Sequence, residues 1–410
     1  MFNYKNFVLP NGINLITIKK ETGIASVHMG LKVGSMYEEN NQKGISHFVE
    51  HMLFKGTHNR SNERLNSDLE ELGGEYNAYT DHNCTVYSAT ALCSEIEEII
   101  KILSDMLQNS SFPLKEIIKE KEVILSEIRT SRDDLEEYSF KRINEIAYIN
   151  SPLKHETTGD EKTIKKFTRQ ELLNFYETFY VPNNCCISIV SPYEHDFIRE
   201  LVWDNFINWS FKEIKSAEVI TEKNIPGTVI TYKKNIEQST IIYLYTFHNI
   251  TKQGELALKV LNHKFGESSN SILFRELRED KGLAYDVYTH LDLTNKVKTL
   301  YIYTAVGEEN INNAIDTINE CISRIKSEEI IFDENTINLM KKVLNTAVAF
   351  TLEDSTDLGN YVLHQLIDNE YILQFVQDME KLESIKNEDI YDIARAVFND
   401  PTIHILKNED

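Results

Sequence analysis

The sequence predicts an α+β protein of two homologous domains, each laying helices on a largely antiparallel sheet. Three observations point there. Apolar patterns of period 2 and period 3.6 are mixed along the chain without the strict alternation of strand and helix that a parallel sheet requires. The 410 residues exceed the length at which one core usually keeps growing, so two domains of about 200 residues are the natural division. The pattern also restarts midway: GGEYNAYT at Gly73 to Thr80 lies over GLAYDVYT at Gly282 to Thr289 at an offset of 209, matching Gly73, Tyr76, Tyr79 and Thr80 to identical residues.

Taken in order, Leu9-Pro10-Asn11-Gly12 is a turn that leads into a strand at Ile13 to Ile18, and a second strand alternates from Ala25 to Val33. Helices are expected around Ser46 to Lys55, ending at Gly56, and around Glu63 to Leu72, ending at Gly73-Gly74. Strands near Tyr76 to Tyr79 and Thr85 to Thr90 precede two long helices, Glu95 to Asn109 and Pro113 to about Ser131. Cys185 to Val190 reads as a buried strand. After a polar join near 212–224, strands at Thr228 to Tyr232 and Thr240 to Phe247 begin the second round. The expected division is therefore residues 1–212 and 213–410.

Composition excludes several functions. A net charge of −22 and the lack of a large Lys/Arg cluster argue against nucleic-acid binding, which needs a cationic footprint. The acidic surface suits cationic partners, basic peptides among them. Five cysteines without a C-x-x-C pair read as reduced thiols. No signal or transit pattern opens the chain, and no apolar run reaches membrane-spanning length. A cytoplasmic protein without membrane attachment is expected.

Chemistry is concentrated at His47-Phe48-Val49-Glu50-His51. Residues four apart share a helix face, so His47 and His51 can direct two imidazoles at one ion with Glu50 beside them. Zinc takes neutral imidazole and carboxylate ligands in tetrahedral geometry, and a catalytic site leaves one position for water. A third protein ligand is then required. In the helix that opens at Pro113, Ile117, Glu120, Ile124 and Glu127 recur at three- and four-residue spacing, placing two carboxylates on an apolar stripe. Buried carboxylates need compensation, and a cation provides it. In the second half His47, Glu50 and His51 fall on Ala257, Val260 and Leu261, after a one-residue slip that sets Gly44 on Gly254. The scaffold is repeated without its polar cluster. The remaining histidines, His364 among them, form no further set with ligand spacing.

The H-x-x-E-H order is the inverzincin motif. Together with Leu9-Pro10-Asn11-Gly12, Gly44 to Thr57 (GISHFVEHMLFKGT), Gly73 to Thr80, Glu120 to Ile128 and Leu277-Arg278 through Tyr285, it makes the chain resemble the pitrilysin family, in particular its short dimeric subgroup. The resemblance covers nearly the whole chain. It implies a zinc endopeptidase with one Zn2+ per chain, held by His47, His51 and the carboxylate 76 residues beyond, Glu127. It implies Glu50 as general base and Glu120 as a supporting carboxylate. Arg278 and Tyr285 would hold peptide substrate and complete the active site of the opposite subunit of a homodimer. Asn77, Ala78 and Tyr79 would pair with an extended substrate by strand addition. A catalytically silent structural relative is the alternative, against which the intact set of His47, Glu50, His51 and Glu127 argues.

Overall fold

The computed structural model describes residues 2–214, 219–294 and 296–409. Residues 215–218, inside the polar join expected at 212–224, lie outside them. The first half runs β1 (Asn3–Val8), β2 (Asn14–Lys19), β3 (Ile24–Leu31), α1 (Ile45–Leu53), α2 (Asn62–Glu71), β4 (Glu75–Thr80), β5 (Thr85–Leu92), α3 (Ile96–Asn109), α4 (Leu114–Asp133), α5 (Leu135–Ala147), α6 (Glu161–Lys166), α7 (Arg169–Phe179), β6 (Cys185–Ser191) and α8 (His195–Phe206). The second runs β7 (Gly227–Lys233), β8 (Ser239–Thr246), α9 (Lys252–Asn262), β9 (Ala284–Asp292), β10 (Thr299–Val306), α10 (Ile311–Lys326), α11 (Glu334–Glu353), α12 (Ser355–Ile367), α13 (Gln374–Leu382), α14 (Asn387–Val397) and β11 (Thr402–Asn408).

Two sheets carry the architecture, in the orders β1-β2-β6-β3-β5-β4 and β7-β11-β8-β10-β9. Setting β1 aside, they match strand for strand. Even the parallel pairing recurs in place, as β2 with β6 and as β7 with β11, while the other pairs are antiparallel. The α+β class expected from patterning is the class observed. The repeat proposed from GGEYNAYT is seen as well, since β4 and β9 begin at Glu75 and Ala284, 209 residues apart, as edge strands of their sheets.

The chain divides into two compact units, neither continuous in sequence. One comprises Met1–Thr130, His155–Val219 and Ala349–Ile372; the other comprises Ser131–Lys154, Ile220–Val348 and Leu373–Asp410. The difference from a division at 212/213 is one helix each way. α5, from the first half, packs on β8 and β11, whereas α12, from the second, packs on β3 and β6.

The physical reason lies in the sheets, which have two apolar faces to cover. In the first unit α3 and α8 cover one face and leave Ile16, Ile18, Val86 and Val190 on the other, where Leu358, Val362, Leu363 and Ile367 of α12 bury them. Each such side chain contributes roughly 1.5–3 kcal/mol on burial. Gly30 permits the close approach, because a Cβ there would stand 2.8 Å from Ile367 Cδ1. In the second unit α5 does the same for β8 and β11, adding Ser139 against Thr240 at 2.6 Å and Phe140 against Tyr301 at 5.2 Å. Among the described residues no helix is long and apolar enough to cross a membrane, and the five cysteines are free thiols.

Candidate metal centre

α1 forms because Ile45, Phe48, Val49, Met52 and Leu53 supply an apolar stripe that is wholly buried. Its start is fixed by Gly44 at φ 92°, where a Cβ would stand 2.7 Å from the Thr158 carbonyl oxygen. In place of a side-chain N-cap, Glu38 reaches in: its Oε2 accepts the Gly44 N–H at 2.9 Å and its Oε1 the Ser46 N–H at 2.8 Å. Burial raises the Glu38 carboxyl to about 7 against the pull of these donors. Nothing in the spacing of Glu38 marks a residue six before Gly44 as the helix cap.

α1 and α4 bring three donors together. His47 Nε2 lies 3.9 Å and His51 Nε2 3.8 Å from Glu127 Oε2, and the imidazole centroids are 4.5 Å apart. The edge of a tetrahedron with metal–ligand bonds near 2.1 Å is about 3.4 Å, so small side-chain adjustments would seat one ion. The protonation state of His47 also fits. Burial, with the neighbouring His51, pushes His47 down to about 3 and keeps it neutral, and its buried Nδ1 has no hydrogen-bond partner.

His51 is oriented from behind. Its Nδ1 stands 3.0 Å from Glu120 Oε2; because a carboxylate only accepts, Nδ1 carries a proton and Nε2 is the nitrogen turned to Glu127. Burial opposes protonation of His51, but the Glu120 hydrogen bond and the charges of Glu127 and Glu50 outweigh it and hold the ring above its ordinary value. Glu120 is 5% exposed and also holds Lys55 Nζ at 2.8 Å. Burial opposes its ionisation, but the His51 and Lys55 hydrogen bonds outweigh burial and hold it below the ordinary carboxylate value. The two carboxylates on the apolar stripe thus have different surroundings: Glu127 is 41% exposed at its side chain, while Glu120 is nearly enclosed.

Glu50 lies on the same helix with its carboxyl raised above the ordinary value, chiefly by burial and also by Glu127. Thr80 at the end of β4 donates its hydroxyl to Glu50 Oε2 at 2.6 Å. In sequence Thr80 is marked by its match to Thr289 in the repeat, which assigns it no role. A cleft of about 250 Å3 opens here, lined by Glu50, His51, Phe54, Lys55, Tyr76, Asn77 and Ala78. β4 is the sheet edge, hydrogen-bonded only to β5 among the described residues, with Glu75, Tyr76 and Asn77 exposed. Tyr79 belongs to the other face: its hydroxyl meets Asn360 and His364 of α12 at 2.8 and 2.7 Å. Of the three residues expected to pair with substrate, Tyr79 can offer only its main chain.

Arg278 and Tyr285 lie in the second unit, where the guanidinium stands 5.7 Å from the Tyr285 ring and 4.9 Å from that of Phe274. Tyr285 is 73% exposed. Tyr288, by contrast, is bonded to Glu136.

A duplicated α+β fold with one His/Glu centre narrows the class, and comparison with known proteins agrees. Residues 15–161 match the model described as insulinase, peptidase family M16, and residues 166–344 match the one described as the peptidase M16 inactive domain. The chain belongs to this family of peptidases. Among its relatives, a protein of Rickettsia felis described as an uncharacterized zinc protease is 30% identical, the match covering 98% of this chain and 96% of that one. A zinc protease of Bacillus subtilis is 28% identical over 97% of this chain and 96% of its own length. The mitochondrial-processing peptidase β subunit of Caenorhabditis elegans is 26% identical over 95% and 86%. Among solved structures, a protease from Helicobacter pylori superposes with a TM-score of 0.93 at 20% identity, covering 99% of this chain and all of that one.

Proposed function

We propose that the protein is a zinc-dependent endopeptidase acting on peptides or small unfolded polypeptides, with one catalytic Zn2+ per chain held by His47, His51 and Glu127. The observation that carries this reading is the convergence of two imidazole nitrogens on one carboxylate oxygen, beside a second carboxylate raised by burial. When bound, zinc supplies Lewis-acid polarisation of a peptide carbonyl and acidifies a water.

The protein's own residues do the rest. Glu50 accepts the proton of the attacking water on its free carboxylate oxygen, the other being held by Thr80, and returns it to the leaving amine. Glu120 keeps the His51 proton on Nδ1. The free edge of β4 takes an extended peptide as an added strand through main-chain hydrogen bonds, which tolerates varied sequences. Tyr285 and Arg278 bind substrate carbonyls, and as an exposed, mutually packed pair they suit completion of a partner subunit's site in a homodimer. The net charge of −22 favours basic peptides. Five free thiols accord with a reducing cytoplasm.

The test is metal content and turnover together. Glu50→Gln is expected to lose about 100- to 10,000-fold in turnover while retaining its zinc. Full activity in chelator-treated, metal-free protein would sink the reading. Mixed dimers of His47→Ala and Tyr285→Phe chains, each inactive alone, are expected to recover activity, and failure to recover would refute sharing between subunits.

A further inference from the structure

A second group of metal-type donors lies in the first unit, on the sheet face away from α1. The turn between β4 and β5 is tight: Asp81 Oδ1 accepts the N–H groups of Asn83 and Cys84, both at 2.6 Å. This points Asp81 Oδ2 at the Cys84 thiol, 3.4 Å away. Cys84 is 0% exposed. His364 of α12 comes to the same place from 280 residues further along the chain, and one ligand atom each of Asp81, Cys84 and His364 lies within 4.8 Å of the others. The three residues of the candidate catalytic centre meet the same condition.

The His364 tautomer can be worked out from its neighbours. Tyr79 donates its hydroxyl proton to Asn360 Oδ1 at 2.8 Å. Its oxygen then accepts from His364 Nε2 at 2.7 Å, so Nε2 carries the proton and Nδ1 keeps a lone pair. Histidine ligands are commonly oriented in this way, through the nitrogen that does not bind metal. The stacked Tyr79 and His364 rings, 14° from parallel, hold the imidazole plane.

The surroundings are predominantly acidic. Asp368, one turn after His364, interacts electrostatically with Asp81, Cys84 and His364. Asp368 faces the charges of His364, Asp81, Glu370 and Lys32. Lys32 is itself turned to Asn369, at 3.3 Å. A thiol, an imidazole and carboxylates together select zinc-like borderline ions over calcium or magnesium.

We propose that Asp81, Cys84 and His364 form a second, structural zinc site, separate from the catalytic one. Bonds of about 2.0–2.3 Å require these donors to draw together by roughly 1 Å. The ion would rivet the β4–β5 turn to α12, the helix lent by the other half of the chain. Asp81 directly follows Thr80, whose hydroxyl holds Glu50, so the rivet would also steady the end of β4.

Cobalt separates this site from the other, because the first centre contains no thiol. Chelator-treated wild-type protein reloaded with Co2+ is expected to show a thiolate-to-cobalt charge-transfer band. It should persist in His47→Ala/His51→Ala protein and vanish in Cys84→Ser. Zinc-loaded wild type is expected to hold two equivalents, falling to one in either variant. Absence of the band from cobalt-loaded wild type would overturn the proposal without mutagenesis. So would a band that survives in Cys84→Ser, which would assign it to another cysteine. If Cys84→Ser does not fold, Asp81→Asn serves, with a weakened and shifted band expected and an unchanged one refuting the assignment. Peptidase activity enters none of these readouts.

Discussion

α1 and α9 occupy the same place in two sheets of the same topology, yet one presents His47, Glu50 and His51 where the other presents Ala257, Val260 and Leu261, all three fully buried. The apolar version is what the fold needs. It satisfies burial with no partner to find, whereas each imidazole or carboxylate in the first copy costs desolvation that only hydrogen bonds, ion pairs or a bound cation offset. Much of the surrounding apparatus, namely Glu120 behind His51, Lys55 on Glu120 and Thr80 on Glu50, serves that compensation. The second copy shows that the architecture can do without it.

Converting α1 to the pattern of α9 tests this most severely. His47→Ala/Glu50→Val/His51→Leu is expected to abolish zinc binding at this centre and all peptidase activity. With metal absent from both proteins, the variant should be as stable as wild type or more stable, by about 1–4 kcal/mol in denaturant unfolding. A variant several kcal/mol less stable would mean that the polar cluster holds the fold together, and the comparison would fail.

Glu120→Gln probes the compensation directly. The amide keeps the shape but cannot hold the His51 proton as a carboxylate does, and loss of such a contact costs about 10- to 100-fold in metal affinity or activity. Zinc competition against a chelator measures it, and an unchanged affinity would demote Glu120 to packing.

How far these features could be read beforehand follows from their range along the chain. The pentapeptide and the Glu120/Glu127 stripe each lie on one helix, so helical spacing alone displayed them. The repeat was visible because Gly and Tyr recur where turns and strand faces demand them. The exchange of α5 and α12 was not visible: an amphipathic helix of 13 residues states that it needs an apolar face, not which of two similar sheets supplies it. The grouping of His364 with Asp81 and Cys84 is one that spacing along the sequence does not display. Spacing rules look within a helix or a turn, and these donors meet only through the exchanged helix. The outward face of Tyr79 follows from alternation, once Thr80 is known to meet Glu50.

The covered faces of the two sheets differ less than their helices. In the second unit His404 on β11 is buried with an unpartnered Nδ1, its Nε2 2.8 Å from the Thr231 hydroxyl and Arg142 of α5 nearby. Burial first, and then Arg142, lower it from 6.5 to about 4. A histidine depressed in the folded state stabilises the protein fully above its unfolded value and loses that contribution as pH falls towards the folded one. Between pH 6.5 and 4 the second unit should therefore lose on the order of 3 kcal/mol through this group. His404→Gln is expected to flatten that part of the stability–pH curve, and an unaltered slope would remove His404 from the account.

The finest comparison sets Thr80 against Thr289, the same residue in the two copies. Thr80 donates to a carboxylate at 2.6 Å, whereas Thr289, among the described residues, reaches the Asn262 carbonyl at 3.5 Å. A hydrogen bond to a charged group contributes about 1.5–3 kcal/mol, and a long neutral one far less. If Thr80 positions the base, Thr80→Val should lower kcat about tenfold with little change in KM, because the lost contact acts on Glu50 and not on bound peptide. Thr289→Val, the same change in shape, should leave kcat within about twofold. Equal losses in both variants would show that the threonines serve the strands that carry them, and the asymmetry between the copies would then end at the metal ligands and Glu50.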